Sequence, residues 1–254
     1  MNLFLHAIKN TLLYQIYCKL KLNYTMQRWS HNDQNAFDFY SFFIKPGDTC
    51  FDIGANMGNR TKIFLKLGAS VVAVEPQNNC IGFLQKFYGS NPNIHFVQKA
   101  VGTKEGRAEM MISNEHTLSS LSKEWVKAVR RTRRFSESSW NQTQTVQMTT
   151  LDKLIDQYGM PSFIKIDVEG YEFPVLKGLT KPVRALSLEF VPEFIEPLYR
   201  CIDYLSSLGE IKLNYSLGES MTFENQEWIS PVEMFDALSK YKNDNIFGDL
   251  YVIF

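Results

Sequence analysis

Short apolar runs alternate with helical-period stretches from Asp48 onward. The pattern predicts a strand at 49–53, a helix over about 57–67, a strand at 70–75, a helix near 78–88 and a strand at 94–98. Further strands are expected at 107–112, 162–168 and 184–190, with a helix beginning near 151. Strands separated by helices imply parallel pairing through right-handed crossovers, and so a sheet covered on both faces. Glu193–Leu208 places Phe194, Leu198, Cys201, Ile202, Leu205 and Leu208 on one helical face, stopped by Gly209. Residues 211–217 alternate strictly, as a strand with one wet face does. Ser230-Pro231-Val232-Glu233 then combines a capping serine, proline in the first turn and a capping-box glutamate, so a helix is expected to run to about Lys242. Leu250–Phe254 closes the chain as a strand.

Two regions depart from this rhythm. Residues 1–26 carry Leu3, Phe4, Ala7, Ile8, Leu12, Ile16 and Leu20 at three- and four-residue steps, which reads as an amphipathic helix. Its apolar face is expected to cover the main domain or the second subunit of a homodimer, in preference to a peripheral membrane contact. Residues 113–145 are the least regular and are polar, which predicts a loop or a helical insertion, with a basic group at Lys123, Lys127, Arg130, Arg131, Arg133 and Arg134. That group reads as a solvated face, or as a clamp on an anionic acceptor. The expected organisation is a helical extension over 1–45 and one α/β domain over 46–254, with 113–145 inserted on the substrate side.

Composition narrows the function. In 254 residues, 27 Lys+Arg balance 27 Asp+Glu, which argues against a nucleic-acid partner. The 44% hydrophobic and 14% aromatic content suits a packed core and excludes a disordered chain. Cys18, Cys50, Cys80 and Cys201 are scattered, with neither zinc nor disulfide spacing. With no long apolar run and no secretory signal pattern, a soluble protein in a reducing cytoplasm is expected.

The candidate chemistry sits at strand ends, where open α/β sheets bind ligands. Phe51-Asp52-Ile53-Gly54-Ala55-Asn56-Met57-Gly58 puts an acid at the end of the first strand and glycines in the turn beyond it. Asn56 occupies the place where a dinucleotide fingerprint has its second glycine, which disfavours a nicotinamide-dependent oxidoreductase. An acid at Asp52 suits a ligand with a cationic amino group as well as a carboxylate. Glu75-Pro76, closing the second strand, suits a ribose whose two hydroxyls donate to one carboxylate. Ala100 or Val101, past the third strand, would lie beside a nucleoside base. Phe163-Ile164-Lys165-Ile166-Asp167-Val168-Glu169-Gly170 carries charges that a central strand tolerates only when paired or facing a cleft. Lys165 is expected to pair with Asp167 or Glu189.

The runs FDIGANMGN, VVAVEP, VQKAVG, TTLDKL, IKIDVEGYEFPVLKG and LSLEF, in this order, resemble the FkbM family of S-adenosylmethionine-dependent methyltransferases over roughly residues 48–190. The resemblance implies the class I methyltransferase (Rossmann-like) fold: a doubly wound, mostly parallel seven-stranded sheet with its last strand antiparallel. It also implies methyl transfer to a hydroxyl, with a sugar, a glycan or a small metabolite as acceptor. Asp52, Gly54, Ala55, Asn56 and Gly58 would surround the methionine part of the cofactor, and Glu75 would hold the ribose. Asp167, Glu169 and Gly170 would lie beside the transferred methyl group. As general base Asp167 comes first, Glu169 second and His116 third. No metal is required by the spacing, although oxygen ligands at Asp167, Glu169 and Glu189 would suit a divalent ion. The rival reading from another class is a nucleoside-binding module without catalysis.

Overall fold

The computed structural model describes residue 26 and residues 28–132, 135–241 and 246–254. The amphipathic segment expected over 1–26 lies, except for Met26, outside the described residues, as do Arg133 and Arg134. The domain opens with α1 (His31–Tyr40), started by a capping box between Ser30 and Asp33. β1 (Thr49–Ile53), α2 (Asn59–Lys66), β2 (Ser70–Val74), α3 (Asn78–Tyr88) and β3 (Ile94–Val97) follow as the pattern predicts. Then come β4 (Ala100–Val101), β5 (Gly106–Ile112), a 3-10 turn at His116–Leu118, α4 (Lys123–Val129), β6 (Gln142–Thr149) and α5 (Leu151–Tyr158). β7 (Phe163–Ile166), α6 (Glu172–Leu176), β8 (Ala185–Phe190), a 3-10 turn at Pro192–Phe194, α7 (Glu196–Leu208), β9 (Lys212–Leu217), α8 (Pro231–Ser239) and β10 (Gly248–Ile253) complete the chain.

The main sheet has seven strands in the order β3-β2-β1-β7-β8-β10-β9. β1, β2, β3, β7 and β8 pair in parallel, and β10 runs antiparallel to both β8 and β9. The expected Ser230 capping box starts α8.

Alternation along the strands separates two cores. One face presents Phe51, Ile53, Ile164, Ile166, Leu186, Leu188, Leu250 and Val252 to α5, α7 and α8. The other presents Cys50, Val71, Ala73, Phe163, Ala185 and Tyr251 to α1, α2 and α3. Tyr40, Phe43 and Ile44 are buried in this second core, so the segment around α1 is built into the domain.

The second face changes character toward the carboxyl ends of its strands. Asp52 is in register with Lys165, Lys165 with Ser187, and Glu189 with Asp249. Register partners lie on the same side of a sheet. A row of ionisable groups therefore continues from an apolar floor, and it faces the end where ligands enter.

Two expectations need correction. The strand expected at 107–112 does not join the main sheet; β5 pairs with β6 in a separate three-stranded sheet ordered β4-β6-β5. The stretch expected to be a loop or a helical insertion does hold a helix, α4, with a core of Leu118, Trp125, Val126, Val129, Phe135 and Trp140, but it also holds the start of β6, a strand that the pattern does not predict. Ser, Thr and Gln hide that strand in the sequence, because one face of β6 is wet and only Val146, Met148 and Thr149 are buried.

Candidate active site

The carboxyl ends of β1, β2, β7 and β8 open into a cavity of about 430 Å³. Its wall includes Asp52, Gly54, Ala55, Asn56, Glu75, Pro76, Ala100, Val101, Asp167 and Glu169, so nearly all the residues singled out from the sequence converge. Gly58 is the exception among the cofactor candidates. It starts α2 at φ +88°, and an added Cβ would meet Leu84 at 2.6 Å and Tyr88 at 3.0 Å, so it serves helix packing below the wall. Gly170 also stands back from the cavity, against Trp125.

Backbone forms the half of the cavity beside β1 and β2. Gly54 has φ +81°, and a Cβ there would come within 1.8 Å of the Asp167 carbonyl oxygen. Only glycine permits that approach between the β1 and β7 loops. Asn56 takes φ +51°, which asparagine tolerates better than most residues. Its left-handed turn aims the Asn56 N–H at Glu75 Oε2 (2.8 Å), while the Gln77 N–H donates to Oε1 (2.8 Å). Each oxygen retains acceptor capacity toward the cavity. Burial pushes the Glu75 carboxyl up to about 7, although both N–H donors work against that rise.

Asp52 lies beneath this turn, 1% exposed, and accepts from Thr61 Oγ1 at 2.6 Å. Burial raises its pKa, with Lys165 opposing. A roof crosses the same half: the His116 carbonyl accepts from Gln77 Nε2 (3.0 Å) and Asn56 Nδ2 (3.3 Å). Burial lowers the pKa of the His116 imidazole, so it is neutral at neutral pH.

The other half is built from charged side chains. Lys165 Nζ lies 2.5 Å from Asp167 Oδ2, which settles the expected partner of Lys165. Burial alone would lower the Lys165 pKa and raise that of Asp167. Their mutual attraction reverses both, holding the ammonium and the carboxylate charged. Glu189 is driven the other way, well above the usual range, by burial and by the Asp167 charge. Carboxylate oxygens of Asp167, Glu169 and Glu189 lie within 4.8 Å of one another, and Lys165 supplies a positive charge beside them.

Several wall residues carry no local signature in the sequence. Arg60 and Glu219 reach the cavity from α2 and from the turn after β9, paired at 2.5 Å across 159 positions of chain. The insertion adds His116, Leu118, Leu121 and Phe135, and Phe247 precedes β10. Arg130, a candidate anion clamp, rests 5.2 Å over the Trp140 ring; neither it nor the exposed Arg131 lines the cavity.

The seven-stranded, mostly parallel sheet, with a glycine turn at the end of its first strand and an acid at the end of its second, is the class I methyltransferase fold. The methyltransferase FkbM domain model matches residues 52–224, and the chain belongs to that family. No curated protein matches the chain. Solved structures resemble it at low identity. Precorrin-6y C5,15-methyltransferase from Geobacter metallireducens is 12% identical with a TM-score of 0.44, covering 87% of this chain and 88% of that one. An rRNA methylase from Streptococcus thermophilus is 8% identical with a TM-score of 0.42, covering 85% and 92%.

Proposed function

We propose that the protein transfers the methyl group of S-adenosylmethionine to a hydroxyl of a sugar, a glycan or a small metabolite, in the cytoplasm. The observation that carries this reading is Glu75, whose two oxygens are already oriented by the Asn56 and Gln77 N–H groups and still face the cavity. A vicinal diol fits the acceptor capacity that remains. The tight Gly54 turn lets a ligand approach backbone where a side chain would otherwise stand.

When bound, the cofactor supplies an electrophilic methyl group on a sulfonium. Glu75 holds the ribose, and Ala100 and Val101 flank the base. Asp52 and the Gly54–Asn56 turn receive the amino-acid end. At the far half, Asp167 would accept a hydrogen bond from the attacking hydroxyl and so hold it in place for transfer. The low pKa of Asp167 makes it a weak base. Weakness is tolerable here, because the hydroxyl oxygen becomes cationic as its new bond forms and then loses its proton readily. Glu169 lies close enough to share that task.

Support for the cytoplasm comes from the isolated thiols of Cys50, Cys80 and Cys201, and no described helix is long and apolar enough to cross a membrane. The test is calorimetric titration of the purified protein with S-adenosylmethionine and S-adenosylhomocysteine, with NAD as control, followed by an acceptor screen that begins with glycans. Binding of the first two without NAD is expected. Preference for NAD would overturn the reading, and tight cofactor binding with no turnover across the screen would favour a non-catalytic nucleoside-binding module.

A further inference from the structure

The loop between β7 and α6 carries Asp167 and Glu169, and it is in an unfavourable shape. Glu169 has φ +54° and Gly170 φ +83°, two consecutive residues in the left-handed region. A glutamate there costs free energy that surrounding contacts must offset. Three side chains outside the charged row hold this loop. Glu172 turns its carboxylate back, and the N–H groups of Val168 (3.3 Å) and Gly170 (3.2 Å) both donate to its Oε1. Ser120, fully buried in the insertion, donates its hydroxyl to the Glu169 carbonyl at 2.6 Å, and is itself oriented by the Ser122 N–H at 2.8 Å. Trp125, 1% exposed, packs its Cβ, Cγ and Cδ1 where a Cβ on Gly170 would stand, 2.3–2.4 Å away.

The insertion is braced by its own contacts. Ser120 is bridged to Met111 of β5 by a pair of backbone hydrogen bonds. The Ser122 hydroxyl caps the helix that carries Trp125. Trp140 donates its indole N–H to the Leu118 carbonyl (2.6 Å) and meets Trp125 edge-on.

We infer that Ser120, Trp125 and Glu172 form a clamp that sets the position of Asp167 and Glu169, making them positioning residues for methyl transfer and giving the insertion a role beyond roofing the cavity. The inference rests on the methyltransferase reading for its consequence, although the clamp can be tested without an acceptor. Both loop N–H groups use the same oxygen of Glu172, so glutamine preserves the acceptor and leucine removes it. Burial raises the Glu172 carboxyl to about 7, consistent with a loop that uses its oxygen more than its charge.

The experiment is hydrogen exchange of residues 165–173 in the full chain, read by mass spectrometry, for Ser120→Ala, Glu172→Leu and Glu172→Gln, beside calorimetry with S-adenosylhomocysteine. In Ser120→Ala and Glu172→Leu the Val168–Gly170 amides are expected to exchange about tenfold faster while β1 and β2 stay protected. Affinity for S-adenosylhomocysteine stays within about threefold in both, and Glu172→Gln exchanges like the parent. With an acceptor from the screen, kcat falls at least about tenfold in the first two variants and KM for S-adenosylmethionine holds, as misplaced reacting groups require. Unchanged loop exchange in folded Ser120→Ala overturns the clamp, as does Glu172→Gln behaving like Glu172→Leu. If Glu172→Leu does not fold, Ser120→Ala decides the matter, since it deletes one hydroxyl only. Failure of the parent protein to bind S-adenosylhomocysteine would instead strike the functional reading and leave the exchange result standing.

Discussion

The two halves of the cavity solve different problems by different means. The half that we propose for the nucleoside is made by backbone: a glycine that must be glycine, a left-handed asparagine, and two N–H groups that orient one carboxylate. Its parts come from β1, β2 and the turns beyond them, within about two dozen residues of chain. The half that we propose for the acceptor is made by side chains, among them Lys165, Asp167, Glu189, and Arg60 with Glu219. Its parts are drawn from α2, β7, β8 and the segments around β9 and β10. Rigid, local geometry suits a ligand that is always the same. Tuned charge suits the end where a proton must move.

Perturbing each half separately tests this contrast. The largest effect is expected at the junction, where Gly54→Ala drives a Cβ into the Asp167 carbonyl at a positive φ. It should cost about 3 kcal/mol or more of stability and abolish cofactor binding, read by chemical denaturation and calorimetry.

Next comes Lys165→Met, which leaves Asp167 beside a buried apolar side chain. About 3 kcal/mol of stability should be lost in denaturant unfolding, because removing one member of a buried pair strands the other. Cofactor affinity should change little. A loss of cofactor affinity as large as the loss of stability would show that the halves are not independent.

Glu75→Ala should weaken S-adenosylmethionine binding by about 1–3 kcal/mol, the cost of leaving buried polar partners unmatched. Equal calorimetric affinity in the folded variant would remove Glu75 from the ribose.

The pH dependence of the same carboxyl follows in size. The folded pKa of Glu75 is about 7 against an ordinary 4.5. Its contribution to the stability of the free protein is therefore complete below about pH 4.5 and is lost as pH rises through about 7. Cofactor affinity should run oppositely, since the ionised form accepts both ribose hydroxyls, and should fall by up to about tenfold from pH 8 to pH 6. Glu75→Gln should flatten the affinity curve and remove only Glu75's share of the stability slope, because burial also raises Glu172 to about 7 and Asp249 to about 6; an affinity slope that persists in it would assign that titration to another group.

The smallest effect is expected from Arg130→Ala. Loss of the guanidinium from the Trp140 ring should lower stability by about 0.5–1 kcal/mol in thermal unfolding and leave cofactor affinity unchanged.

Read from the sequence alone, the α/β order, the parallel core of the sheet, the Gly54 turn, Glu75 and the charged end of β7 were all legible. They are written in contiguous residues: a strand of period two, a turn that needs a positive φ, an acid where an apolar run stops. Lys165 had two open partners, and folding chose Asp167 because the side chain two residues along the same edge is nearest. Three-dimensional packing alone decided that β5 leaves the main sheet, that Gly58 packs against α3, that Arg60 meets Glu219, and that Ser120 and Trp125 hold a loop some fifty residues downstream. Those contacts join partners far apart in the chain, and hydroxyls, indoles and guanidinium groups carry no periodic signal of where they will be buried. Local backbone chemistry repeats within one or two turns of chain and can be read there, whereas the upward shift of the Glu189 carboxyl depends on its burial and on which charges folding brings around it.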